Sequence, residues 1–185
     1  IDQVLEIKDL YFTIALGVTL ILASAITVVF GLFMDRIGKN KIMIPAIIVT
    51  VGGAIGMFFV QKNFAMGGVM IAGTIMMSGY MIGTAVLGAK VRDFTPNNEV
   101  GLFQGVRMIF IVLIPMVTGP YIGRGVSYIN AQTYVNEYKQ TVIKPNSFIF
   151  LFAGLVILLA IIPTLIIIKK ERQIKANEQI DETAD

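Results

Sequence analysis

The sequence contains no histidine and no cysteine, and only 15% of its 185 residues are charged. Without cysteine there is no disulfide framework and no thiol nucleophile, and the lack of both residue types excludes a Cys/His zinc site. The lack of histidine also removes imidazole as a general base or proton relay. Any chemistry would have to use carboxylates or hydroxyls, and we expect no cofactor, no metal ion and no catalytic residue.

Hydrophobic residues make up 56% of the chain, and the mean hydropathy is +0.78. This composition is typical of a membrane protein, and the net charge of +3 is too small to indicate nucleic acid binding. A helix needs about 20 apolar residues to cross the hydrocarbon core. Four uncharged stretches meet this length, and a fifth does so when Arg107 is accepted near one end. The sequence therefore predicts an all-α membrane protein with five transmembrane helices, at about residues 10–34, 42–61, 66–89, 100–123 and 147–168.

Lysine and arginine are unevenly distributed between the two sets of loops, with nine or ten in one set and five in the other. Basic residues accumulate in cytoplasmic loops. We therefore expect a multi-pass protein of the cell membrane that begins outside and ends in a cytoplasmic tail, residues 169–185. The tail should continue the last helix for a turn or two and then fray. The odd number of helices and the lack of an initiator methionine favour part of a longer chain.

Small and hydroxyl residues form a stripe along one face of the first predicted helix. The positions follow one another at steps of three or four, and only Leu20 among them is large; they are Thr13, Gly17, Leu20, Ser24, Thr27 and Gly31. Lipid does not require such a face, so it either packs against another helix or lines a cavity. The third predicted helix repeats the theme. The candidates to contact a solute are Thr13, Thr27, Ser78, Tyr80 and Thr84, although polar helix packing would explain each of them as well.

Glycine and proline predict where the helices come close and where they bend. Glycines four residues apart favour close helix contact, and they occur at Gly52 and Gly56, Gly79 and Gly83, Gly101 and Gly105, and Gly119 and Gly123. Proline removes a helical hydrogen bond and favours a kink, which is expected at Pro115, Pro120 and Pro163.

The loop after the first predicted helix reads GLFMDRIGKNK, from Gly31 to Lys41. The glycine at 38 allows a backbone conformation with positive φ. The pattern resembles the cytoplasmic loop signature of the major facilitator superfamily, which occurs between helices two and three and again between helices eight and nine. It matches at Gly31, Asp35, Arg36, Gly38 and Lys39, and it departs at Asn40, where a second base is usual.

The next loop on the same side, KVRDFTPNNEVGLFQGVR at 90–107, is similar to the loop of the glycoside-pentoside-hexuronide:cation symporter branch. The segment that follows, up to GPYIG, carries the same similarity. In this interpretation the five spans are helices 8 to 12, and helix seven with the N-terminal half is missing. The alternative is helices 2 to 6, with the tail as the start of a central linker.

The resemblance implies a secondary active transporter that opens alternately to the two sides of the membrane as two halves rock about a central site. The implied partners are membrane lipid, the missing N-terminal half, and a sugar or other small solute carried with Na⁺ or H⁺. The loop charges would form a conformational latch, or they would only anchor topology. The latch residues are Gly31, Asp35, Arg36, Gly38, Lys39, Arg92, Asp93, Glu99 and Arg107.

None of the five spans has an Asp or Glu near its middle. A cation-coupled carrier needs an intramembrane carboxylate, so we expect the coupling site in the missing half. Two other classes of protein are alternatives to a transporter. An intramembrane enzyme would need a base beside Ser24 or Ser78, and none is present at membrane depth. A non-transporting scaffold or a small channel subunit has no such requirement.

Overall fold

The computed structural model describes residues 9–60, 65–96, 99–129, 133–135 and 140–182. In chain order its elements are α1 (Asp9–Ile37), α2 (Lys39–Phe59), α3 (Ala65–Phe94), α4 (Val100–Met108), a π-helical segment (Ile109–Leu113), α5 (Ile114–Ser127), β1 (Thr133–Val135), β2 (Thr141–Ile143), α6 (Phe148–Leu159) and α7 (Ile161–Glu182).

Within these described ranges, five helical spans are long and apolar enough to cross a membrane. They are Thr13–Phe33, Lys39–Phe59, Gly67–Phe94, Val100–Ser127 and Phe148–Glu171. The prediction of an all-α membrane protein with five transmembrane helices is therefore confirmed.

Helix α3 lies at the centre of the packing, between α1 and α2, and α2 packs in turn against α6. Glycine makes the approach of α2 and α3 possible. A Cβ at Gly79 would lie 2.6 Å from the backbone nitrogen of Thr50 and 3.0 Å from the carbonyl oxygen of Ala46. A Cβ at Gly53 would likewise collide with the backbone of Met76. Because a real Cβ cannot come so close, only glycine allows this helix pair its present separation.

The other predicted glycine contacts divide into two groups. Gly56 packs on Ala72, and a Cβ at Gly56 would lie 3.2 Å from the Ala72 methyl carbon. A Cβ at five further members of the predicted pairs would have no heavy atom of the described chain within 4 Å beyond the nearby backbone of its own helix, and these are Gly52, Gly101, Gly105, Gly119 and Gly123. Glycine spacing therefore predicts contact correctly at Gly56, Gly79 and Gly83, and it gives no contact among the described residues at Gly52 or in the fourth span.

Two apolar clusters hold α2 against α3. One consists of Ile42, Met43, Ala46, Ile82 and Val86. The other consists of Met57, Val69 and Ala72, and Phe150 of α6 packs against it. Because the clusters lie near opposite ends of the helix pair, α2 and α3 are fixed along their length and present their ends as one unit.

The fourth span is interrupted by the π-helical segment, which ends two residues before Pro115. Proline has no N–H, and its ring would clash with the carbonyl four residues earlier in an α-helix. The chain accommodates this with a wider turn, in which the Ile114 N–H donates to the Ile109 carbonyl oxygen. From Val100 to Leu113 no described residue is buried, and burial begins only at Val126 and Ser127 near the end of α5.

The last span breaks at Ala160, three residues before Pro163. The N–H of Thr164 resumes the helical pattern by donating to the Ala160 carbonyl oxygen over 3.3 Å. A local break is expected where proline leaves a carbonyl without its donor. Helix α7 then continues to Glu182 without interruption. The expectation of only a turn or two beyond the membrane was therefore wrong, because the charged residues after Ile168 remain helical.

A short antiparallel hairpin of β1 and β2 lies between α5 and α6, with Tyr134 opposite Val142. The Asn146 side-chain amide donates to the carbonyl oxygens of Ile129 and Ser127. These bonds tie the start of the last span to the end of the fourth. The hairpin was not predicted from the sequence.

Candidate functional site: a charged joint at one end of the bundle

Charged residues gather where α1 turns into α2 and where α3 ends. We call this end, formed by residues 36–41, 90–95 and 169–174, the basic end. The turn requires Gly38, whose φ of 92° is unfavourable for residues with a Cβ. The Lys41 N–H donates to the Gly38 carbonyl oxygen over 3.1 Å and starts α2 directly after the turn. The positive φ agrees with the conformation expected for glycine at this position.

An exposed ion pair joins the start of α2 to the end of α3. The Lys39 Nζ lies 2.6 Å from the Asp93 Oδ2, and the two side chains are 29% and 52% exposed. Both residues belong to the latch predicted from the sequence, and the structure brings them together. At this exposure solvent screens the attraction, so the pair is expected to contribute about 1 kcal/mol or less.

A second ion pair is largely buried. The Lys90 Nζ lies 2.8 Å from the Glu171 Oε1, and these side chains are only 7% and 18% exposed. The Asn40 side-chain amide donates to the other carboxylate oxygen, Glu171 Oε2, over 2.5 Å. One carboxylate therefore accepts from α2 and α3 at once. We call Asn40, Lys90 and Glu171 the buried joint, and it connects α2, α3 and α7.

The buried joint lies beside a cavity of about 450 Å³ that the exposed pair also lines. Apolar side chains of Ile37, Phe94 and Ile174 complete the wall. In the part of the chain that the structure describes, the Asn40 Oδ1 is buried and accepts no hydrogen bond. The low-dielectric surroundings strengthen the Lys90 to Glu171 attraction and make the loss of either partner costly.

None of the three residues of the buried joint was predicted from the sequence as a functional residue. Asn40 was noted only as a departure from a base, and Lys90 only as a topological charge. Glu171 is the single acid in the basic run KKERQIK, and this was the signal that could have identified it. An isolated acid among bases at the end of a membrane helix indicates a specific partner.

The remaining latch residues have different surroundings. Gly31, Arg36 and Glu99 are exposed, and the Glu99 carbonyl oxygen accepts from the Phe103 N–H at the start of α4. The side chain of Asp35 lies outside the described residues. Arg92 and Arg107 line a separate cavity between α3 and α4, so the structure does not bring them into the buried joint.

The cavity between α3 and α4 has a volume of about 520 Å³. Its polar lining consists of Thr84, Arg92, Thr95, Gln104 and Arg107, and among the described residues that line it there is no carboxylate. Gly88 makes room for one of the two guanidinium groups. A Cβ at Gly88 would lie 3.1 Å from Nη2 of Arg107.

The solute-path candidates do not form one cluster. Tyr80 and Thr84 are exposed on α3, whereas Ser78 is buried and donates to the Ile75 carbonyl oxygen over 3.0 Å. Thr27 similarly donates to the Ala23 carbonyl oxygen over 2.8 Å, and Thr13 is exposed on α1. Ser78 is therefore a helix-packing residue in this structure, while the other four lie on accessible or half-buried surface.

The stripe on α1 is not the face that packs against α3. The packed face consists of Ala15, Thr19 and Ala23, which are buried, and the Thr19 methyl group contacts Gly73 of α3. At 100° per residue, this face lies about 120° from the stripe. Ser24 and Gly31 of the stripe are exposed, and Thr27 is half-buried. Packing within the described chain therefore does not account for the stripe.

The fold defines a multi-pass helical membrane protein, with glycine-mediated helix contacts and a charged joint at one end. In the described ranges there is no group of three or more acidic, histidine or cysteine side chains that could hold a metal ion.

The family model described as Major Facilitator Superfamily matches residues 3–184, and the chain belongs to that superfamily. Members of this family are membrane transporters and are generally not enzymes. Searches of curated proteins and of solved structures give no match for the chain.

Proposed function

We propose that the chain is the C-terminal half, helices 8 to 12, of a secondary active transporter that carries a sugar or other small solute together with Na⁺ or H⁺. The observation that carries the proposal is the exposed stripe on α1. Its small and hydroxyl residues face away from α3, and neither lipid nor the described packing requires them there. A water-accessible path between this face and a second half of the transporter would require small and polar residues on this face.

The basic end acts as the latch in this proposal. The buried joint and the pair of Lys39 with Asp93 keep α2, α3 and α7 together at one end. A transporter that rocks must make and break contacts at the ends of its helices, and their strength sets the populations of the two states. The charges therefore shift the balance between the two states, which changes the rate of transport, and they leave the solute site unchanged.

Solute uptake by the complete gene product that contains these 185 residues tests the transporter. The protein is reconstituted in liposomes and given a panel of labelled sugars, with and without an inward Na⁺ or H⁺ gradient. We expect saturable uptake of at least one sugar, and stimulation by one of the gradients. The matched control is the same protein with Gly79→Leu, which places a large side chain in the contact of α3 with α2.

Each other outcome has a definite meaning. Uptake without any response to either gradient would contradict cation coupling. Uptake confined to solutes that are not sugars would correct the proposed solute. A linear, non-saturable flux would favour a small channel subunit, and no flux of any solute by a folded protein would favour a scaffold.

The orientation is tested separately. We propose that the basic end and α7 lie in the cytoplasm, because most lysine and arginine residues of the loops belong to this side. A tag placed after residue 185 should be protected from protease in right-side-out vesicles and digested in inside-out vesicles. Digestion in right-side-out vesicles would show that the orientation is the opposite of the proposed one.

A further inference from the structure

We propose that the cavity between α3 and α4 is a binding site for a phosphate group, with Arg92 and Arg107 as its ligands. Two guanidinium groups line this cavity, and its described lining contains no carboxylate to neutralise them. Arginine presents planar donors that match a phosphate in pairs of parallel hydrogen bonds. Two such groups around one cavity are a favourable site for a phosphomonoester or phosphodiester.

The donors of the cavity can be counted individually. The hydroxyl groups of Thr84 and Thr95 already donate to carbonyl oxygens of their own helix, over 3.0 Å and 2.6 Å. They are not available as donors to an anion in this arrangement. The available donors are the side chains of Arg92, Gln104 and Arg107, which line the cavity from both helices. A ligand that accepts several hydrogen bonds and carries negative charge satisfies this set.

Gly88 leaves room for the Arg107 side chain at this cavity. Arg107 is half-buried, and a Cβ at Gly88 would lie 3.1 Å from its Nη2 atom, closer than an ordinary van der Waals contact. The glycine therefore allows the arginine of α4 to lie close to α3. The facing residues Val100 and Phe103 supply an apolar wall.

The position of the cavity suits an amphiphilic ligand. The apolar part of α3 ends just before Lys90, two residues from Arg92, and Arg107 lies two turns after the start of α4. The arginines are thus near the level at which lipid phosphates lie, and basic pockets between membrane helices bind anionic head groups. A phosphate can reach the site from a phospholipid or as a free ion, and the two sources are separated by experiment.

The test uses the complete gene product in neutral detergent, with binding of phosphatidylglycerol measured by native mass spectrometry. Phosphatidylcholine and inorganic phosphate are the comparison ligands. We expect Arg92→Gln and Arg107→Gln each to weaken binding roughly tenfold, because each removes a charge-assisted pair of hydrogen bonds. Arg124→Gln removes an exposed arginine outside the cavity and should leave binding unchanged within about twofold.

Three further variants change no charge. Gly88→Ala would place a Cβ 3.1 Å from the Arg107 Nη2, so the guanidinium group must shift by a few tenths of an ångström and binding should weaken slightly. Gly105→Ala places its new Cβ within 4 Å of no described atom beyond the nearby backbone of its own helix, and it should leave binding unchanged. Arg107→Lys keeps the charge but loses the planar donors, and it should lie between the wild type and Arg107→Gln. These variants keep the test decisive if a glutamine substitution impairs folding.

Every outcome bears on the proposal. Preferential binding of phosphatidylglycerol with this variant pattern supports a lipid phosphate. Direct binding of inorganic phosphate with the same pattern supports the site with a soluble ligand. Equal effects of Arg92→Gln, Arg107→Gln and Arg124→Gln on binding would overturn the proposed site. So would the absence of binding by either ligand, or engagement of both arginines by carboxylates elsewhere in the gene product.

Discussion

The buried joint makes a quantitative prediction about Lys90 and Glu171. In Glu171→Gln the side chain keeps its shape and an oxygen for Lys90, but the buried ammonium group loses its counter-charge. In Lys90→Met the ammonium group disappears, and the carboxylate keeps its bond from Asn40. The double variant removes both charges and leaves no unpaired ion. The three variants therefore form a double-mutant cycle that isolates the ion pair.

The magnitudes follow from the burial of the pair. Removing one partner of a fully buried pair costs about 3–5 kcal/mol, and we take about 2 kcal/mol because Glu171 is 18% exposed. We expect about 2 kcal/mol for each single variant and about 2 kcal/mol, rather than 4, for the double variant. The coupling energy is then about 2 kcal/mol.

Thermal unfolding of the complete gene product in nanodiscs of fixed lipid composition, followed by circular dichroism, measures these values. The control is Lys169→Met, which removes an exposed charge from the same helix and should change stability by less than about 0.5 kcal/mol. Additive single effects, with a coupling energy below about 0.5 kcal/mol, would refute the argument that the pair acts as one buried unit.

Three further predictions concern packing, helix geometry and the latch. Gly79→Ala should destabilise the protein by about 1–3 kcal/mol in the same unfolding assay, since its Cβ would overlap Thr50, while Gly52→Ala should not. Pro115→Ala restores an N–H and should convert the π-helical segment to α-helix, which would appear as altered amide exchange over 109–114; an unchanged exchange pattern would argue against the proline as its cause. Asp35→Asn should slow solute uptake and leave solute affinity within a few fold, and an unchanged uptake rate would contradict the latch.

Much of the fold could be predicted because membrane spans are encoded locally. Each span is a run of about 20 apolar residues, and such a run can satisfy its backbone only as a helix. Gly38 was similarly predictable, because a tight turn with positive φ favours one residue type. The π-helical segment was not predictable in detail. A proline can bend a helix, break it or widen one turn, and the sequence pattern alone does not choose among these.

The charged site was predicted only in part, for a different physical reason. Lys39 and Asp93 belong to predicted loops on the same side of the membrane, so their proximity was a reasonable expectation. Glu171 meets Asn40 across 131 positions of sequence, and no local pattern encodes that contact. The stripe on α1 was recognised from the sequence, but residue spacing alone does not indicate whether such a face packs against a helix or lines a cavity. The structure shows that α3 packs against a different face of α1.

The most direct test of the proposed transport path is alternating access at the stripe on α1. These 185 residues contain no cysteine, so Ser24→Cys gives the one label position within them, and any cysteine elsewhere in the gene product is replaced first. Ile21→Cys gives a control on an exposed part of the same helix outside the stripe. A membrane-impermeant maleimide is applied from each side of the membrane, with and without solute. The account predicts that Ser24→Cys reacts from both sides, that solute shifts its two labelling rates in opposite directions, and that Ile21→Cys does not respond. Labelling of Ser24→Cys from one side only, unchanged by solute, would contradict it.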